Sequence, residues 1–192
     1  MSAALRLVVK PLTPGRWDDV EKLFGPRGAC AGCWCMFWKL SNKDFQALAH
    51  EGTRAAQKAI VESGGTPGLL AYAGREVVGW IAVEPRSEYP RLERSRVLAP
   101  VDDRAVWSIT CFFTSMDYRG KGVSIALLKG CLDYVGKHGG RIVEGYPIEP
   151  KAGKMPAAFV YMGLASAFRA TGFVEVARRS ETRPIFRCMI GG

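Results

Sequence analysis

Asp117-Tyr118-Arg119-Gly120-Lys121-Gly122-Val123-Ser124 stands between two apolar stretches of different period, and it decides how the whole chain is read. Before it, residues 106–114 are nearly all apolar, which suits a strand in the middle of a sheet. After it, Ile125, Leu128, Leu132 and Val135 make one stripe and Val123, Leu127, Cys131 and Tyr134 another. The spacing predicts a helix over 122–138, apolar over so much of its circumference that it is buried. A strand that passes through glycines into a buried helix is a physical anion site. The first N–H groups of the helix have no partner within it, and glycine lets a ligand approach the backbone closely. Arg119 and Lys121 add positive charge beside them. The same glycines would also serve a plain strand-to-helix turn.

Two familiar phosphate loops do not fit. No Gly-x-x-x-x-Gly-Lys-Ser/Thr run occurs, and position 125, where a dinucleotide fingerprint needs its third glycine, is Ile125. Nucleotide hydrolysis and nicotinamide chemistry are thereby disfavoured.

Outward from the loop, the chain reads as one domain over 1–192. Leu5 to Pro11 is expected as a strand. Trp17, Val20, Leu23 and Phe24 form a helical face that Gly25-Pro26 ends. With Asn42 as its cap, a helix is expected to run to Ser63 with Phe45, Leu48, Ala56 and Ile60 inward. Residues 69–72 and 77–83 read as a hairpin, with Val77, Gly79, Ile81 and Val83 on one face. A long polar loop at 85–104 holds Arg86, Arg91, Arg94 and Arg96; such loops are usually functional or mobile. Beyond the buried helix come a strand at 141–146, a helix from Pro156 to Thr171, and strands at 173–178 and 184–189. The sum is an α/β domain with a mixed sheet.

Composition sets outer limits. Hydrophobic residues make up 48% and charged ones 23%, ordinary for a folded chain. No run of eighteen uncharged apolar residues occurs and the N-terminal stretch lacks the pattern of a signal peptide, so a cytoplasmic protein is expected, without a membrane partner. The net charge of +9 favours an anionic partner. Its Lys and Arg are scattered, which argues against nucleic acid. Six cysteines in such a chain are expected as thiols.

With these residues in hand, the sequence resembles the GNAT superfamily of N-acetyltransferases. The family's pyrophosphate loop reads Arg/Gln-x-x-Gly-x-Gly/Ala, and Arg119-Gly120-Lys121-Gly122-Val123-Ser124 follows it with Ser in the last place. Asp117-Tyr118, Ala126-Leu127-Leu128 and the Gly172-Phe173 corner also look like the family, and the element order agrees from Leu5 onward. The resemblance implies the acyl-CoA N-acyltransferase fold, a twisted, mostly antiparallel mixed sheet flanked by about four helices. It implies acetyl-CoA as co-substrate, held by the loop from Arg119 to Ser124, with Phe112, Phe113 and Thr114 offering backbone groups to the pantetheine arm. It also implies a small-molecule primary amine as acceptor, and leaves a homodimer open. The alternative is a catalytically altered domain that binds acyl-CoA or nucleic acid as a sensor.

Many members carry a proton-donating Tyr where this chain has Phe168, which the resemblance therefore places beside the cofactor without its acid. Tyr161, two helical turns earlier if the helix is continuous, would lie about 10 Å away along the axis. Among the carboxylates Glu144, Glu84 and Glu149, Glu144 is the candidate general base, because apolar neighbours on its strand would desolvate it. Glu84 is expected to face solvent. The Cys/Trp-rich segment 28–40 holds Cys30-x-x-Cys33-x-Cys35. It reads as a buried turn, as an acceptor wall in which Trp34, Phe37 and Trp38 line an aromatic amine site, or as thiols for zinc completed by Cys111, Cys131, Cys188 or His50. The pattern lacks the second Cys-x-x-Cys of structural zinc sites, so no metal is assigned. The arginine-bearing loop would form the opposite wall and favour an anionic acceptor.

Overall fold

The computed structural model describes residues 5–150 and 160–191. In chain order its elements are β1 (Leu7–Pro11), α1 (Trp17–Phe24), α2 (Asn42–Glu62), β2 (Gly68–Ala73), β3 (Glu76–Pro85), α3 (Pro90–Glu93), β4 (Trp107–Thr114), α4 (Val123–Lys137), β5 (Ile142–Gly145), α5 (Ala165–Arg169), β6 (Val174–Arg178) and β7 (Pro184–Met189). The described strands form one sheet in the order β1-β2-β3-β4-β5-β7-β6. Every neighbouring pair is antiparallel except β4 and β5. The mixed, mostly antiparallel α/β architecture is as expected.

Each face of the sheet is covered. On one side α4 packs Val123, Leu127, Leu128, Cys131 and Val135 onto Val78, Ile81, Val83 and Ile109. Close approach is possible because Gly79 lies under α4: a Cβ there would come within 2.5 Å of Val123 Cγ1. The other side carries Trp17, Val20 and Phe24 of α1, Trp34 and Val61 over Leu70, Trp80 and Ala82. Val77 belongs to this second face and Val78 to the first. Simple alternation from Val83 backwards assigns them the other way round. A β-bulge causes the exchange, since Ala71 pairs with Gly79 and Tyr72 with Val77, leaving Val78 unopposed.

Several expectations need correction. Ser41, not Asn42, caps α2, its Oγ accepting the Asp44 amide at 3.1 Å. The inward face of α2 carries Thr53, Gln57 and Val61, whereas Leu48 is 39% exposed. The polar Thr53 and Gln57 hid that face from a hydrophobicity count. The expected helix Pro156–Thr171 is only the short α5 in the described part, and residues 156–159 lie outside the described residues. The loop at 85–104 is neither polar throughout nor loose. Tyr89, Leu92 and Leu98 form a small core with Tyr146, Met162 and Ile185, and α3 lies within the loop.

An ion cluster pins this loop to the sheet. Glu144, fully buried on β5, accepts from Arg187 Nε at 2.6 Å, Arg86 Nη1 at 3.2 Å and the Tyr146 hydroxyl at 2.7 Å. Arg187 reaches on to Asp102 at 2.7 Å, and Arg86 to Glu93 at 2.7 Å and the Leu98 carbonyl at 2.8 Å. Buried charges are tolerated here because nearly every donor and acceptor has a partner.

Candidate active site

β4 and β5 pair only over Trp107–Ile109 and Val143–Gly145. Beyond Ile109 the two strands part, and the β5-facing edge of β4 is left open while its other edge stays paired to β3 as far as Thr114. Residues 160–164 approach this gap: the Tyr161 carbonyl accepts the Phe112 amide at 2.5 Å, and Ile148 and Leu164 form a bridge. A cavity of about 980 Å³ opens along the parted edge, and Phe112, Phe113 and Thr114 line it.

At one end of the cavity lies the glycine loop. Ser115 to Tyr118 make a tight turn, and Gly120 and Gly122 take φ of +74° and +80° with open space where a side chain would stand. These left-handed values are what demand glycine. Gly122 caps α4, and the first intrahelical bond runs from the Ala126 amide to its carbonyl at 3.0 Å. The amides of Val123, Ser124 and Ile125 therefore precede the helical ladder, at the positive end of the helix. Arg119, Gly120, Gly122, Val123 and Ser124 line the cavity. Arg119 also reaches back to the Thr114 carbonyl at 3.4 Å. Lys121 does not line it; exposed, its Nζ lies 5.3 Å from the Tyr118 ring centroid.

The other end is walled by Cys30, Cys33, Cys35, Phe37, Trp38, Phe45, Cys111 and Tyr161. The loop bearing these thiols is conformationally costly. Ala29, Ala31, Trp34 and Cys35 all have positive φ, a region L residues seldom occupy and one that collects at functional sites. Its hold on the fold is firm: Trp80 Nε1 donates to Cys35 Sγ at 3.1 Å, and Thr53 Oγ1 to the Gly32 carbonyl at 2.6 Å. The Cys33 thiol is pushed far up by its contact with Cys35 and by burial, and the Cys35 thiol by its contact with Cys111. Both stay protonated at neutral pH. Among the described residues no group of three or more His, Cys, Asp or Glu side chains is arranged for a metal ion, and the His50 side chain lies outside the description.

Several sequence candidates sit elsewhere. Trp34 is 3% exposed and does not line the cavity; it stacks on Trp17 with centroids 6.0 Å apart and meets Phe24 edge-on at 5.4 Å. Phe168 is fully buried between Phe112, Phe173 and Phe186, under the cavity floor and not in it. Glu144, locked between two guanidinium groups, has no approach to the cavity. Glu84 is buried, not solvent-facing, and is held by Lys39 at 2.7 Å; burial nonetheless raises its carboxyl above the ordinary value. Glu149 pairs with Arg178 and with Arg169, which hold its carboxyl low. No residue of the 85–104 loop reaches the cavity, so the expected arginine wall is absent among the described residues.

Tyr161 lines the cavity, but not from a helix. It precedes α5, so the two-turn helical separation from Phe168 does not apply. Its ring lines the cavity near Cys33, Cys111 and Arg183, and burial raises its hydroxyl above the ordinary tyrosine value. No sequence signal marks it, because the backbone turn at 160–163 that aims it has no period.

Comparison with known proteins agrees with this geometry. The model of the acetyltransferase (GNAT) family matches residues 34–147. A GNAT-family acetyltransferase structure from Streptococcus agalactiae is 11% identical, with a TM-score of 0.56 over 97% of this chain and 96% of that one. PaiA N-acetyltransferase from Thermoplasma acidophilum, solved in complex with coenzyme A, is 12% identical, with a TM-score of 0.53 over 96% and 99%. The acetyltransferase YncA from Salmonella typhimurium, solved with acetyl-CoA, is 11% identical, with a TM-score of 0.53 over 96% and 94%. A search of curated protein sequences gives no significant match. At these identities the structures speak for the fold, and the family model for membership. Glycine loop, parted strands and matched segment coincide, and the chain belongs to the GNAT acetyltransferase family.

Proposed function

We propose that the protein is an acetyl-CoA-dependent N-acetyltransferase that acts on the primary amine of a small molecule. One observation carries this reading: a single cavity runs from the α4 N-terminus, past the open edge of β4, to the wall of thiols and aromatic rings. Donor and acceptor can thus meet in one place. The recess suits a small acceptor better than a nucleic acid, which needs an extended basic face.

The donor end fits coenzyme A. Arg119 and the amides that begin α4 would hold its phosphates, and Gly120 and Gly122 leave the backbone bare for them. Thr114 presents the open β4 edge to the arm, whereas Phe113 turns its backbone to β3 and the Phe112 amide is already bonded to Tyr161. The co-substrate supplies an acetyl group activated as a thioester. Tyr161, on the cavity wall, donates a proton to the departing sulfur; its hydroxyl is protonated at neutral pH, as that of an ordinary tyrosine is.

A transfer assay with acetyl-CoA and a panel of amines, read by thiol release and product mass, tests the reading. Tyr161→Phe should lower kcat by about 10²-fold and leave the KM for acetyl-CoA little changed. An unchanged kcat would remove Tyr161 from the proton path.

A further inference from the structure

We infer that the acceptor amine is uncharged before it binds: an arylamine or similarly weak base on an apolar body, not an aliphatic ammonium. This rests on the acyltransferase reading and goes beyond it to the class of substrate.

Consider what an alkylammonium would meet. At neutral pH only about one primary alkylamine in 10³ is neutral, so the enzyme must bind the cation and remove its proton. Among the described residues no Asp or Glu lines the cavity. Residues 151–159, Lys-Ala-Gly-Lys-Met-Pro-Ala-Ala-Phe, contain none that could be added. Glu84 is bound to Lys39 and Tyr89, and Glu144 to Arg86 and Arg187. Among the described residues the one charged side chain that lines the cavity is a cation, while at the donor end Glu76 accepts from the hydroxyl of the lining Tyr118 at 2.8 Å. Arg119 is that cation, Arg183 stands beside Tyr161, and the Arg91 guanidinium lies 4.1 Å from the Phe37 centroid and 5.4 Å from that of Phe45.

Arg91 bears on the aromatic wall from behind it. Phe37 and Phe45 could hold a substrate cation against their faces. The Arg91 guanidinium, fixed by bonds to the Leu40 and Ser41 carbonyls at 2.6 and 3.1 Å, already lies against both rings from outside the cavity lining and puts positive charge beside any cation bound to them. The remaining polar groups do not replace a base. Cys33 and Cys35 stay as thiols. A flat apolar amine meets none of these penalties, and Phe37, Trp38 and Phe45 offer it ring contacts.

The step balances without a base of low pKa. The amine lone pair forms the C–N bond to the thioester carbonyl carbon, the C–S bond breaks, and its electron pair stays on sulfur. The nitrogen gives up one proton and the sulfur gains one, so amide and free coenzyme A thiol are the products.

The test compares arylamines with arylalkylamines of matched size, in the same preparation in which acetyl-CoA binding is measured by calorimetry. At pH 7 the arylamines should show kcat/KM at least about tenfold higher. Their rates should stay flat between pH 6 and pH 8.5 while those of the alkylamines climb with the neutral fraction. A second variant installs the missing carboxylate. Ala31 lines the cavity, is exposed, and has φ 48° and ψ 35°, a conformation Asp tolerates. Ala31→Asp should lower the aryl-to-alkyl preference several-fold. Equal or better use of alkylamines by the wild type overturns the inference, as does acetyl-CoA binding with transfer to neither series; both leave the donor reading standing. Absence of acetyl-CoA binding overturns the donor reading itself, and the inference with it.

Discussion

Glu144 shows how a residue type can be right for one role and its position fix another. Its apolar neighbours do bury it, as the strand pattern suggests, but burial comes with Arg86 and Arg187 on its two oxygens. A carboxylate so bound is a structural anion. Removing it leaves two guanidinium groups facing each other in a dry site, so Glu144→Ala should cost about 3–5 kcal/mol in urea unfolding. The protein that still folds should keep the wild-type pH profile of kcat; a lost ascending limb would restore Glu144 as the base. The two partners come from positions 58 residues before and 43 after it, a separation no local pattern reports. Trp34 is the parallel case. Its type suits an amine site, but the left-handed turn at Ala31 to Cys35 turns it inward onto Trp17 and leaves Phe37 and Trp38 at the cavity.

At the scale of elements, the loop from Arg119 to Ser124 is held in register by α4, and α4 is placed by what lies beneath it. Gly79 on β3 lets Val123 settle on the sheet, with a Cβ there only 2.5 Å from Val123 Cγ1. Gly79→Val should push the start of α4 outward, lower stability by about 1–3 kcal/mol and weaken acetyl-CoA binding, although residue 79 does not line the cavity. Wild-type affinity in a calorimetric titration of the folded variant would show that the loop holds its shape without that packing. Strand, glycine loop and helix were legible because each has a period or a backbone demand written in neighbouring residues. The bulge that exchanges Val77 and Val78, and the short α5, were not. The first is set by the register of the hairpin, Ala71 opposite Gly79 and Tyr72 opposite Val77, and the second begins beside the isolated Ile148–Leu164 bridge, and neither is written in the period of its own segment.

Across the whole molecule, the Arg86–Glu144–Arg187–Asp102 chain joins the 85–104 loop, β5 and β7. Hydrogen bonds from Arg187 and Arg104 hold the Asp102 carboxyl well below the usual range. A group whose folded pKa is depressed contributes stability above its unfolded pKa, about 3.9, and loses it as pH falls towards the folded value. Thermal stability should therefore decline on acidification below about pH 4, and Asp102→Asn should flatten part of that decline. Identical acid profiles for the two proteins would take Asp102 out of the linkage. The loop that looked like a loose arginine-rich wall is thus a strut. Its Arg86 and Arg91 are tied to partners within the fold, which leaves Arg119 as the charged side chain lining the cavity among the described residues.

The central claim is that the cavity at the start of α4 receives acetyl-CoA. Calorimetric titration of the wild type and of an Arg119→Ala/Gly122→Trp variant tests it most directly. The wild type should bind one equivalent of acetyl-CoA, and the folded variant, with a side chain in the left-handed position and the guanidinium gone, should bind none at the same concentrations. No binding by the wild type, or equal affinity in the two proteins, would contradict the account.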